Sequence, residues 1–148
     1  VPELAGRFAA EFPRHSREQL FALADDIESY PAFIPWCRSA RVVSQAGAER
    51  AVDNHFGAGP VDLSFRTRAI AAPPDSLEIA SEDGPFRRFH LVWRFLDRAG
   101  GGCRVEAEYR LAFRSPMLQA LARLAVHEAE RRIVARFRDR AAALYGWT

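Results

Sequence analysis

Four histidines, two cysteines and one inward-facing asparagine are the residues of this chain with chemistry to offer. His15, His55, His90 and His127 fall on different predicted elements, and none stands at metal-ligand spacing from a cysteine or carboxylate. His127-Glu128 opens like the helical zinc motif of metalloproteases, but Arg131 occupies the place of the second histidine ligand. Cys37 follows Pro35-Trp36 in an apolar stretch with no base nearby, so it reads as a small buried hydrophobe rather than a nucleophile. Cys37 and Cys103 together form neither a zinc ribbon nor a disulfide framework. Phosphate loops, dinucleotide fingerprints and nucleophile elbows are absent, and the carboxylates lie on outer strand faces or beside turns rather than as an acid and base pair. The residues therefore point away from an enzyme and from a metal site. Asn54 shares an inward face with Val52 and Phe56, and two readings stand: a satisfied polar group, or a hydrogen-bond donor aimed from a cavity wall at a ligand carbonyl.

The elements that must position these residues are legible in the hydrophobic periodicity. Ser115 and Pro116 open a segment free of further Gly or Pro until Gly146. Leu118, Ala122, Ala125, Val126, Ala129, Ile133, Phe137, Ala141 and Leu144 recur in it at steps of three and four, the buried stripe of a long amphipathic helix to about Tyr145. Upstream the period is two. Cys103 to Phe113 and Arg88 to Leu96 alternate cleanly, joined by Gly100-Gly101-Gly102 as a hairpin with arginines facing glutamates on its outer side. Val61 to Ala71, Leu77 to Ile79, Ala40 to Gln45, Arg50 to Phe56 and Phe8 to Phe12 complete about seven strands, and a short helix runs from Ser16 to near Tyr30-Pro31. This order predicts an α+β chain in which a curved antiparallel sheet wraps the final helix.

With 148 residues, 49% hydrophobic, and no repeat, linker or low-complexity tract, the chain reads as one domain spanning 1–148, long enough to bury a core without staples. No apolar run reaches the roughly 20 residues of a membrane span and no signal peptide opens the chain, so a reduced cytoplasmic location is expected. All 21 basic residues are arginine, and seven of them lie from Arg114 onward against Glu128, Glu130 and Asp139. That basic helix could approach an anionic lipid surface or ribosomal RNA, or be a solvated face. Met117, Leu121 and Leu124 lie off the main stripe and make its first turns apolar on more than one side. Ala122, Ala125 and Ala129 face aromatic strand residues, which leaves either close packing or a residual apolar cavity.

The run Tyr30-Pro31-Ala32-Phe33-Ile34-Pro35-Trp36-Cys37 resembles the signature of the coenzyme Q-binding START-domain family, within the polyketide cyclase-like, helix-grip superfamily. Asp83-Gly84-Pro85-Phe86, Trp93-Arg94-Phe95, the glycine-rich run into Cys103-Arg104-Val105, and Phe113-Arg114-Ser115-Pro116-Met117-Leu118 extend the likeness over almost the whole chain. The resemblance implies a helix-grip fold with an apolar cavity and non-catalytic carriage of ubiquinone, or a similar isoprenoid lipid, in support of respiratory electron transport. On that basis Tyr30, Phe33 and Trp36 are expected to gate the cavity, with Asn54, Phe56, Phe65, Phe86, Trp93, Leu118, Leu121 and Ala125 lining it. Arg131 and Arg138 are expected to dock it, transiently at the inner face of a membrane or else on the ribosome. The ligand is then ubiquinone itself, with no further cofactor and no metal. The same signature marks bacterial ribosome-association toxins, which implies the large ribosomal subunit as the alternative partner and a block of subunit joining as the alternative role.

Overall fold

In the computed structural model, which describes residues 3–146, a hydroxyl cap opens each helix where the sequence places one. The Gln19 N–H donates to Ser16 Oγ while the Gln19 side chain accepts from the Ser16 N–H, a closed capping box at the head of α1 (Arg17–Asp25). Leu118 N–H donates to Ser115 Oγ, with Pro116 in the first turn of α2 (Pro116–Tyr145). The predicted domain's ends, 1–2 and 147–148, lie outside the described residues.

Seven strands accompany them: β1 (Leu4–Phe12), β2 (Cys37–Ala46), β3 (Glu49–Ala58), β4 (Val61–Ala72), β5 (Ser76–Ser81), β6 (Phe86–Asp97) and β7 (Cys103–Phe113). They form one antiparallel sheet in the order β1-β7-β6-β5-β4-β3-β2. The run from β2 to β7 is a meander of hairpins, and only the first crossing is long. After β1 the chain passes through α1 and a 3-10 helix (Ile27–Ala32) to reach the opposite edge, then works back until β7 pairs with β1. The result is the predicted α+β helix-grip architecture, a curved sheet around a long C-terminal helix.

Strand ends extend beyond the alternating cores seen in sequence, most at β1, which begins at Leu4 rather than Phe8 because Leu4 to Phe12 pairs residue for residue with Leu111 to Cys103. The helix expected to run to Tyr30 ends at Asp25. Pro31 cannot sit within an α-helix without losing a hydrogen bond and clashing with the preceding turn, so the segment tightens into the 3-10 helix.

The predicted stripe of α2 holds at Val126, Ala129, Ile133, Phe137 and Ala141 and fails at Ala125 and Leu144. The fully buried residues of α2 are Gln119, Phe137 and Ala141, while Ala125 is exposed and Leu144 is 49% exposed. Gln119 continues the ladder of β7: the Phe113 N–H donates to its Oε1 (2.7 Å) and its Nε2 donates to the Leu111 carbonyl (3.2 Å). A polar residue thus sets the rotation of the helix, which turns Val126, Ala129 and Ile133 inward and Ala125 out. At the far end Phe137 packs edge-on against Phe33 and beside Trp93. There His15 Nε2 lies 2.8 Å from the Gly146 carbonyl, and the Tyr145 hydroxyl donates to the Gln19 carbonyl.

Replacing Gln119 by leucine leaves the Phe113 N–H and the Leu111 carbonyl buried without this partner. Urea unfolding of Gln119→Leu is expected to show a loss of about 1–3 kcal/mol; an unchanged midpoint would mean that the helix is held without this contact.

Candidate functional site: an apolar cavity between sheet and helix

Because α2 is fastened at its two ends, its middle turns stand off the concave face of the sheet. A cavity of about 380 Å³ lies between them. Alternation along β3, β4, β6 and β7 directs Phe56, Phe65, Leu91, Trp93 and Tyr109 into it, and Val126, Ala129, Glu130 and Ile133 close it from the helix side. Two aromatic groups bound it. Phe65 stacks on Phe56 at 5.8 Å and meets Phe86 edge-on at 4.9 Å, while Trp93 meets Phe8 edge-on at 5.9 Å.

The sequence-derived lining divides accordingly. Tyr30, Trp36, Asn54, Phe56, Phe65, Phe86 and Trp93 are on the wall. Phe33 is not: it is buried behind the wall against Phe137, Tyr30 and the Arg140 guanidinium. Leu118, Leu121 and Ala125 are also off it, since the phase set by Gln119 turns Leu121 and Ala125 to solvent and places Val126, Ala129, Glu130 and Ile133 there instead. A buried glutamine at helical spacing from Val126 and Ile133 is the signal that identifies those wall residues.

Trp36 stands at the boundary of the cavity, 38% exposed and the one non-glycine residue with positive φ (66°) among those described. A bulky residue adopts that region only where its surroundings hold it. Here its carbonyl accepts from the Gly57 N–H and the Arg132 guanidinium lies 5.6 Å from its ring centroid, joining the turn before β2 to both β3 and α2. Tyr30, on the same segment, donates its hydroxyl to the Ala24 carbonyl, and burial pushes its ionisation well above the ordinary phenol range.

Polar side chains on the wall are few, and Tyr30, Asn54 and Tyr109 each donate to a partner within the protein. Of the two readings of Asn54, its amide nitrogen follows the satisfied one: Nδ2 donates to the carbonyls of Val52 and Phe65 and to Thr67 Oγ1, at 3.0–3.2 Å. The Tyr109 hydroxyl donates to Glu130. Gly6, the cross-strand partner of Tyr109, makes that reach feasible, since a Cβ there would lie 2.4 Å from the Tyr109 hydroxyl oxygen. Burial first, and the contact with the Glu130 carboxyl second, raise the Tyr109 phenol far above its usual range, so it remains protonated.

Neither expected docking arginine is on the cavity. Arg131 pairs with Glu128 on the exposed side of α2, whereas Arg138 donates to the Glu11 carbonyl and covers the Phe12 ring at 5.0 Å, fastening α2 to β1. His55, His90 and His127 each face a single carboxylate, Asp62, Glu78 and Glu130 respectively. Among the described residues no three potential metal ligands come together. A larger, open groove of about 650 Å³ on the outer face of β2–β4 is polar, and its main cation, Arg66, is already forked onto Asp53 at 2.7 and 3.1 Å. The apolar cavity is the better candidate because its wall is convergent and mostly aromatic or aliphatic.

The sequence pattern of the polyketide cyclase / dehydrase and lipid transport family matches residues 14–138. The chain is 29% identical over 127 residues to the ribosome association toxin RatA of Pseudomonas aeruginosa, covering 86% of this chain and 88% of that one. It is 27% identical over 136 residues to the mitochondrial coenzyme Q-binding protein COQ10 homolog B of Xenopus laevis, covering 88% of this chain and 55% of that one. Among solved structures, a START superfamily protein from Mycobacterium smegmatis superposes with a TM-score of 0.76 at 12% identity, over 96% of this chain and 98% of that one.

Burial raises the thiols of Cys37 and Cys103 to about 11. Thiolate therefore forms in the folded protein only as the pH climbs toward that value. At about pH 8 a disulfide reagent is expected to label both cysteines roughly a hundredfold more slowly in the folded than in the unfolded chain. Rapid labelling of folded Cys37 would instead restore a nucleophilic role.

Proposed function

The chain belongs to the polyketide cyclase / dehydrase and lipid transport family, and from that premise we propose that it binds ubiquinone or a related polyisoprenoid lipid in the cavity and carries it without transforming it. The observation that carries this reading is the wall itself: a volume of about 380 Å³ lined by aromatic and aliphatic side chains from six strands, the segment before β2 and α2. That lies at the lower end of the roughly 300–1,000 Å³ common for small-molecule sites, room for a ring and the start of an isoprenoid tail. Each Å² of tail removed from water contributes about 25 cal/mol, so affinity grows with apolar area and needs no covalent step. The likeness to a protein named as coenzyme Q-binding supports this ligand class.

The polar groups support carriage over catalysis. The Tyr109 phenol is held protonated, the Asn54 amide is committed to the strands, and the cysteine thiols are protonated at neutral pH. A general acid and base pair poised near neutrality is what an aromatase or cyclase would require.

A second reading has its own support. The relative from Pseudomonas aeruginosa is named a ribosome association toxin, and α2 presents exposed arginines, Arg131 among them, on the side away from the cavity. Binding to the large ribosomal subunit by that face would leave the cavity unused.

Organic extraction and mass spectrometry of protein purified from a quinone-producing host are expected to yield ubiquinone near one per chain. Ala129→Phe, which fills the middle of the cavity, should abolish that yield while the chain still unfolds cooperatively. Cosedimentation with large ribosomal subunits, lost on raising salt and on Arg131→Ala yet retained by Ala129→Phe, would move the assignment to the ribosome. For a carrier that meets its ligand at an anionic membrane, Arg131→Ala is expected to weaken vesicle binding with no change in quinone affinity.

A further inference from the structure

Hydrogen-bond valences on the cavity wall are unevenly spent. Three of the side-chain donors on the wall are committed within the protein: the Tyr30 hydroxyl to the Ala24 carbonyl, the Tyr109 hydroxyl to Glu130, and the Asn54 amide to Val52, Phe65 and Thr67. The indole N–H of Trp93 is buried without a partner and has almost no accessible surface of its own, and the indole of Trp36 sits on a residue exposed enough to meet water. What faces the cavity with capacity left is acceptor oxygen. Asn54 Oδ1 has no partner among the described residues, because the two strand carbonyls fix the amide with its nitrogen toward them. The Tyr109 oxygen, having given its proton to Glu130, keeps lone pairs, and the second Glu130 oxygen has only the solvent-facing His127 at 3.6 Å.

From this imbalance we infer that the cavity selects a head group that donates hydrogen bonds, so that a hydroquinone, phenol or alcohol on an apolar body is held in preference to its carbonyl-only counterpart. The inference rests on the carrier reading and refines it: of the two redox forms of a quinone lipid, the reduced one is the cargo. A quinone carbonyl brought to Asn54 Oδ1 or to the Tyr109–Glu130 pair sets oxygen against oxygen, in a site that excludes the water which would otherwise solvate both. A hydroxyl in the same place completes the valences of both partners. The high ionisation threshold of the phenol keeps the Tyr109 proton on the Glu130 contact and does not free it for a ligand.

Titration calorimetry of the intact protein under argon with decylubiquinol and with decylubiquinone separates the outcomes, since the two ligands share a tail and differ only in the head. Decylubiquinol is expected to bind about tenfold more tightly, the order of one unpaired buried polar group. Glu130→Gln places an N–H donor where only acceptors stood, and Asn54→Leu removes an acceptor; each is expected to draw the ratio of the two affinities toward one. Equal affinities in the unaltered protein, or tighter binding of decylubiquinone, would overturn the donor preference and leave the carrier reading intact. Failure of both ligands to bind would overturn the carrier reading itself.

Discussion

The structure hangs on the suspension of one helix from two points. Near its start, the buried Gln119 is hydrogen-bonded into the end of β7; near its close, Phe137 and Ala141 are packed into the core. Between these anchors the residues facing the sheet are Val126, Ala129 and Ile133, too short to reach across to Phe56 and Phe65 on the opposing strands. A curved antiparallel sheet has side chains to fill a core with, but here the helix is held at a distance that its own middle cannot fill. The cavity is the consequence, and it costs dispersion contacts that a solid core would have made.

Such a space survives only if its boundary is rigid. The aromatic clusters at its two ends, built from Phe56, Phe65, Phe86 and Phe89 on one side and Phe8, Trp93 and Phe137 on the other, supply large faces fixed by edge-on and stacked neighbours. Trp36 contributes in a different way. Its left-handed backbone bends the chain from the 3-10 helix into β2, and its indole meets Arg132 on the helix. The strain of that turn is held by the Gly57 N–H and the cation on the ring, so the residue that stands at the boundary is also one that ties three elements together.

Most polar groups on the wall are paired, the buried Trp93 indole N–H being the exception, and the pairing decides what remains for a ligand. Asn54 faces inward as the strand period requires, but it spends its nitrogen on the sheet. Tyr109 reaches Glu130 only because Gly6, opposite it on β1, has no side chain. Glycine at position 6, tyrosine at 109 and glutamate at 130 thus act as one unit drawn from three elements, although nothing in their spacing along the chain relates them. Across the outer surface, arginine and carboxylate alternate in the ion pairs that the hairpins bring together, as in Arg94 with Glu108 at 3.0 Å, a solvated layer of modest energy.

Element order, the seven alternating strands, the caps at Ser16 and Ser115 and the length of α2 are determined by local physics, and they are legible in the sequence because each depends on residues a few positions apart. Seven of the eleven predicted cavity residues are also on the wall, since strand alternation alone decides which way Phe56, Phe65 and Trp93 point. The rotation of α2 was legible only in part. Val126, Ala129, Ile133, Phe137 and Ala141 follow the apolar stripe, but hydropathy does not tell which apolar residues of the first turns, Leu118, Leu121 and Ala125 among them, reach the cavity, and the pairing of Gln119 with strand backbone groups decides that. The same limit hid Glu130, which reads as one more charge on a solvated helix until Tyr109 meets it, and it left Asn54 open between a satisfied polar group and a free donor until Thr67 and the Phe65 carbonyl were beside it. Periodicity reports which face a residue is on; which hydrogen-bond partner it finds there is decided by neighbours distant in sequence, and so by the tertiary structure alone.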